Sequence, residues 1–152
     1  MENETSFSDY RERYGGFWIR FAAFLVDLVI LLIPSLLVSF LLRSVTQANH
    51  ATDKRVVEFV DNGLQLAIWW VYTAGMLSSS WQATIGKRVC ELKVTDYDGR
   101  RISFGRATWR CLASLLSALL LCLGFLMIAW TKRRQGLHDF MANTLVAKNK
   151  QP

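Results

Sequence analysis

The residues that could do chemistry are charges placed where apolar sequence surrounds them. Phe21–Leu42 carries one charge, Asp27, and Arg20 stands immediately before it. The two are seven residues apart, about 700° around an ideal helix and roughly 10.5 Å along it. They therefore share a stripe without touching. Arg20 can reach headgroups by snorkelling. Asp27 is too short for that, and a carboxylate there costs about 2.5–3.5 kcal/mol on insertion scales unless a partner or a water path receives it. Two readings of Asp27 stay open: a structural ion pair or hydrogen-bonded acid, or a group that handles ions or protons. Arg110, after Arg106, opens a second uncharged stretch, Cys111–Trp130. It either snorkels or supplies the cation for Asp27. The segment Lys132-Arg133-Arg134-Gln135-Gly136-Leu137-His138-Asp139 is the third concentration of charge. Its basic run suits anionic lipid headgroups. Asp139 could cap a short helix or pair with one of the arginines of that run, and His138 could titrate near neutral pH.

Other chemistries have no foothold. Neither a nucleophile–base pair nor a phosphate-cradling glycine loop is recognisable, so no enzyme is expected. Cys90, Cys111 and Cys122 form no CxxC pair, and His50 and His138 are far apart, so no metal or other cofactor is expected. The basic segments lack interleaved aromatics suited to nucleic acid.

The elements that position these charges follow from the hydrophobic pattern. The chain has 152 residues, 52% of them hydrophobic, and a formal charge of +6. The apolar residues fall in three blocks, Phe21–Leu42, Leu64–Leu77 and Cys111–Trp130. The first and last are long enough for a bilayer core of about 30 Å, and the middle block nears it when extended. The expected fold is an α-helical multi-pass membrane protein with helices over about 17–42, 58–80 and 107–130. Residues 1–13 read as a polar head, 14–148 as the membrane domain and 149–152 as a tail. The acidic start and the long first block do not fit a cleaved signal peptide.

Lys and Arg concentrate in residues 79–110, which the positive-inside trend puts in the cytoplasm. The N-terminus is then cytoplasmic and 43–63 exterior. The third block leaves two alternatives. A single span puts the basic tail outside; a helical hairpin or re-entrant turn near Leu123-Gly124 returns it. Between the second and third blocks, Cys90, Leu92 and Val94 alternate with polar residues, then Asp98-Gly99, then Ile102 and Phe104. That predicts a cytoplasmic β-hairpin over about 88–104. Thr144-Leu145-Val146-Ala147 could add a third strand if the tail returns.

Several motifs recur in a known order. They are Gly16-Phe17-Trp18-Ile19-Arg20 with Asp27; Trp81-Gln82-Ala83-Thr84-Ile85-Gly86-Lys87-Arg88; and Leu92-Lys93-Val94 with Asp98-Gly99-Arg100. Ser103-Phe104-Gly105-Arg106-Ala107, then Arg134-Gln135-Gly136-Leu137-His138-Asp139 with Thr144, complete the set. The order resembles the RDD family of multi-pass, mostly bacterial membrane proteins. Its signature arginine and two aspartates would be Arg20, Asp27 and Asp139; Arg110 and His138, singled out above by their own placement, would support them. Ala142-Asn143-Thr144 departs from the Ala-Gly-Thr common there. The resemblance implies a cell-membrane location (the bacterial inner membrane). It also implies one of two roles: a transporter subunit, such as a monovalent cation/proton antiporter working as a homo-oligomer, or a non-transporting adaptor that docks a membrane-protein partner in assembly or quality control.

Overall fold

A computed structural model describes residues 14–48, 53–119, 127–128, 131 and 133–149. The elements run α1 (Phe17–Ala48), α2 (Lys54–Ser78), α3 (Ile85–Val89), β1 (Leu92–Thr95), α4 (Phe104–Leu119), α5 (Leu137–Met141) and β2 (Leu145–Lys148).

Helix α1 has 32 residues, about 48 Å at 1.5 Å per residue. Pro34 lies inside it without ending it, at the loss of one backbone donor. Of the described helices, α1 alone is long and apolar enough to cross a bilayer by length and composition. Phe24, Leu28, Ile33, Leu36 and Phe40 along it are all exposed. An apolar surface that continuous is unfavourable in water and neutral in lipid. Asp53 starts α2, its carboxylate accepting from the Arg55 N–H at 3.0 Å. Thr84 starts α3 by accepting from the Lys87 N–H at 3.4 Å, and Ser103 starts α4 by accepting from Arg106 N–H at 3.3 Å. Each hydroxyl or carboxylate satisfies one orphan donor of a first turn.

The expected hairpin over 88–104 does not form. β1 pairs antiparallel with β2, Leu92 opposite Lys148 and Val94 opposite Val146. Asp98-Gly99 does make a turn, with Gly99 at φ +78° and the Asp96 carboxylate accepting from the Asp98 and Arg100 N–H groups. The strand after it is missing because Ile102 enters the core and Phe104 already belongs to α4. Phe104, Ala107 and Cys111 recur at three and four residues, a helical rather than a strand period. Leu145–Lys148, expected at most as a third strand, is the partner that replaces it. Tyr14 bridges to Ala147 on the other side, and the Gly15 N–H donates to the Val146 carbonyl at 2.9 Å.

The core gathers at this end: Ala23, Ala74, Leu77, Leu92, Val94, Ile102, Ala107, Cys111 and Val146. The start of α1, the end of α2, the start of α4 and the tail all converge there. The tail packs at the end of the molecule where α4 begins. The proposed turning point near Leu123-Gly124 lies outside the described residues.

Candidate functional site

Two carboxylates organise the converging segments. Asp139 is fully buried. One of its oxygens meets Arg20 Nη1 and the other meets Arg110 Nη2 at 2.5 Å. It also accepts from the Gly136 N–H at 3.2 Å, which caps α5. The helix-cap reading of Asp139 holds, and its arginine partners are Arg20 and Arg110 from α1 and α4, not an arginine of the basic run before it. Arg20 spreads its fork further: Nε donates to the Gly15 carbonyl at 2.8 Å and Nη2 to the Arg134 carbonyl at 2.5 Å. One guanidinium therefore ties the start of α1 to the segment before α5. Charge-assisted, multiply bonded contacts of this kind are the strong ones.

Arg110 does not pair with Asp27, the alternative raised from the sequence. It is buried against Asp139 instead. Its Nη1 has no hydrogen-bond acceptor among the described residues.

Asp27 has different company. Its Oδ1 accepts from the Tyr72 hydroxyl at 2.6 Å and the Gly86 N–H at 2.7 Å, and its Oδ2 from the Thr84 hydroxyl at 2.5 Å. The Tyr72 oxygen accepts in turn from the Ile85 N–H at 3.1 Å. A single acid on α1 thus holds α2 and the first turn of α3. Three donors meet the requirement that a polar group in an apolar setting be hydrogen-bonded. Gly86 is required there by space. A Cβ on it would lie 2.8 Å from the Asp27 Cγ and 2.9 Å from its backbone nitrogen.

Lys87 follows on α3 and feels Asp27, Asp139, Arg110 and Arg20 together. Burial first, and the Arg110 charge second, lower its ammonium to about 8, against the pull of the two carboxylates. Burial alone would raise the Asp139 carboxyl; Arg110 and then Arg20 reverse that and hold it well below the usual range. His138 lies with Nε2 3.3 Å from Asp139. Burial lowers its imidazole to about 4, helped by the Arg110, Arg20 and Lys87 charges and opposed by Asp139. At neutral pH it is therefore uncharged, which corrects the expectation that it titrates near 7.

Arg20, Asp139, Arg110 and His138 are thus one cluster and Asp27 a second, and the charges of Arg20, Asp139, Arg110 and Asp27 all act on the Lys87 ammonium. Tyr72, Thr84, Gly86 and Lys87 received no role from sequence. The available signal was a Thr-x-Gly-Lys start to a helix, with Thr in the capping position. No group of three or more His, Cys, Asp or Glu suited to a metal exists among the described residues.

The chain is similar to known proteins over almost its whole length. The uncharacterized protein YxaI of Bacillus subtilis is 32% identical over 89% of this chain and 97% of its own. The uncharacterized membrane protein YteJ of the same organism is 28% identical over 90% of this chain and 82% of its own. The proline-rich antigen of Mycobacterium leprae is 30% identical over 64% of this chain, but only 40% of that protein is matched. No solved structure matches. The RDD family model matches residues 14–143, a stretch that holds Arg20, Asp27 and Asp139, and the chain belongs to the RDD family.

Proposed function

We propose that this protein is a multi-pass component of the bacterial cell membrane, N-terminus cytoplasmic, that couples protons to monovalent cations as a subunit of a homo-oligomeric antiporter. The observation that carries the reading is the setting of Asp27. A carboxylate on α1, long and apolar enough to cross the bilayer, is met by two exchangeable hydroxyls, Tyr72 and Thr84. The Lys87 ammonium feels the charges of Asp27 and of the Arg20–Arg110–Asp139 cluster, and burial lowers it to about 8. Carboxylates, hydroxyls and a near-neutral amine are the groups a proton relay needs in a membrane. Purified protein in vesicles should drive Na⁺ flux from a pH gradient, and Asp27→Asn should abolish it. Unchanged flux in Asp27→Asn would move the site elsewhere. Wild-type flux no higher than that of empty vesicles would remove the transport reading.

A second reading has its own support. The oxygens of both Asp27 and Asp139 are engaged by protein groups, tying α1, α2, α3, α4 and the tail together. Charges used that way suit a rigid adaptor that presents its basic face to a membrane-protein partner. Crosslinking in native membranes should then recover a distinct protein, and self-crosslinks alone would count against it.

A further inference from the structure

Between the end of α2, the end of α3 and β1 lies an open groove of about 640 Å³, lined by none of the residues that touch Asp27 or Asp139. Arg88, Glu91 and Lys93 all line it. Among the described residues none of these three charges forms an ion pair, although one carboxylate and two cations share one groove. The walls are fixed by backbone. The Val94 N–H donates to the Gln82 carbonyl at 2.7 Å, and the Asn149 N–H donates to the Glu91 carbonyl at 2.6 Å. Gln82 and Glu91 are both left-handed, at φ 52° and 53°. Non-glycine residues held in that region cost free energy that the surroundings must supply, and they gather at ligand-holding segments. The Arg88 guanidinium lies 4.1 Å over the Trp81 ring, which orients it without neutralising it.

Beside the groove, Trp81, Ile85 and Val89 recur every four residues and are all exposed, at 51%, 36% and 66%. Trp81 follows the end of α2 by three residues, where an aromatic belt at a membrane interface would fall. A charged groove edged by an exposed apolar stripe fits a molecule with a polar head and an apolar body.

We infer that this groove binds the headgroup of a phosphoethanolamine lipid, with Arg88 and Lys93 on the phosphate and Glu91 on the ammonium. The charge pattern selects among lipids. A phosphoglycerol head offers Glu91 no cation. A phosphocholine head offers one that cannot donate a hydrogen bond. The apolar stripe selects the lipid over the free headgroup. The inference rests on the membrane half of the function proposed above, and it is independent of transport.

Native mass spectrometry of the full chain, released from micelles with equal amounts of the three lipids, tests it. Wild type should retain the phosphoethanolamine lipid over the phosphocholine lipid by about tenfold, as expected for one charge-assisted hydrogen bond. Glu91→Gln should bring that ratio near one. Arg88→Gln with Lys93→Gln should lower retention of both. Equal retention by wild type, a preference for the phosphoglycerol lipid, or a ratio unchanged in Glu91→Gln would each overturn the assignment. Soluble glycerophosphoethanolamine held as well as the lipid would overturn the lipid as ligand. Flux measured on Glu91→Gln separates the two proposals. Lost lipid preference with intact flux is expected if both hold. Absent wild-type flux with the preference present would remove transport alone.

Discussion

Asp139 stands between two buried arginines, and that makes it the residue whose loss should be felt most. Asp139→Asn leaves the Arg20 and Arg110 charges facing a neutral amide in a site already out of water. Breaking a buried pair in this way costs about 3–5 kcal/mol, which unfolding in mixed micelles should register. The double variant Arg20→Gln with Asp139→Asn should cost less than the sum of the singles, because the two share one interaction. His138 gives the cluster a pH dependence. Unfolded, its imidazole takes a proton near 6.5; folded, only near 4. Between those values the unfolded chain holds the extra proton, so stability is full above about pH 6.5 and declines as pH falls toward 4. The decline should be on the order of 3 kcal/mol. Asp139, held low by Arg110 and Arg20, adds a further loss below about pH 4, where an unfolded carboxyl protonates. His138→Gln should flatten the pH 4 to 6.5 portion of a stability profile and leave the portion below pH 4. At this scale the sequence was informative. An acid in an apolar run and an acid after a basic run are conspicuous because each is costly alone. Their partners were not legible. Tyr72 and Thr84 look like ordinary helix and cap residues until the fold brings them to Asp27 across 45 and 57 positions.

Among the elements, α3 is small, and its placement depends on one contact. Five residues make no helix that persists in isolation; Thr84 caps it and Asp27 holds its first turn. Gly86→Ala would put a methyl 2.8 Å from the Asp27 Cγ, with the α1 backbone behind it unable to yield. We expect a loss of about 1–3 kcal/mol, as for other overpacked sites, together with a weaker Tyr72–Asp27 bond. The NMR chemical shift of the Tyr72 ring carbon that bears the hydroxyl, in protein labelled at tyrosine, would follow that bond. The element-level error of sequence reasoning lies nearby. Alternation around Asp98-Gly99 correctly signals a strand and a turn, and the turn exists. Pattern alone could not say that β1 would take a partner far along the chain, Val146 opposite Val94, because both partners satisfy the same two-residue period. The helical recurrence of Phe104, Ala107 and Cys111 was the competing signal, and it won because Ile102 and Ala107 bury themselves in the common core.

Viewed whole, the molecule is asymmetric along α1. One end carries the core, the sheet and the Asp27 and Asp139 clusters; further along, α1 meets α2 through Ser39, whose hydroxyl donates to the Asp61 carboxylate at 2.8 Å, and Gln65, whose amide donates to the Ser35 carbonyl at 3.1 Å. The Tyr14–Ala147 bridge and the Gly15–Val146 hydrogen bond put the residues before α1 and the tail side by side. In a chain freed of its own cysteines, Tyr14→Cys and Asn149→Cys should therefore react with an impermeant maleimide from the same face of sealed vesicles. Labelling from opposite faces would be incompatible with this packing. Composition had marked the chain as membrane-bound and its basic excess as a topological signal. The meeting of head and tail was beyond composition, since it depends on strand pairing between residues at opposite ends of the sequence.

That meeting also sets an order on biosynthesis. Arg20 precedes its carboxylate partner by 119 residues, so α1 leaves the ribosome with a guanidinium whose counter-charge has not yet been made. Arg110 waits for the same acid. Until Asp139 arrives, both cations must stay hydrated or borrow headgroup phosphates, and the end of the bundle cannot close dry. A chain interrupted between Arg110 and Asp139 would carry two unneutralised arginines at its folding end. It would remain open to proteases, while the full chain shuts on a single aspartate.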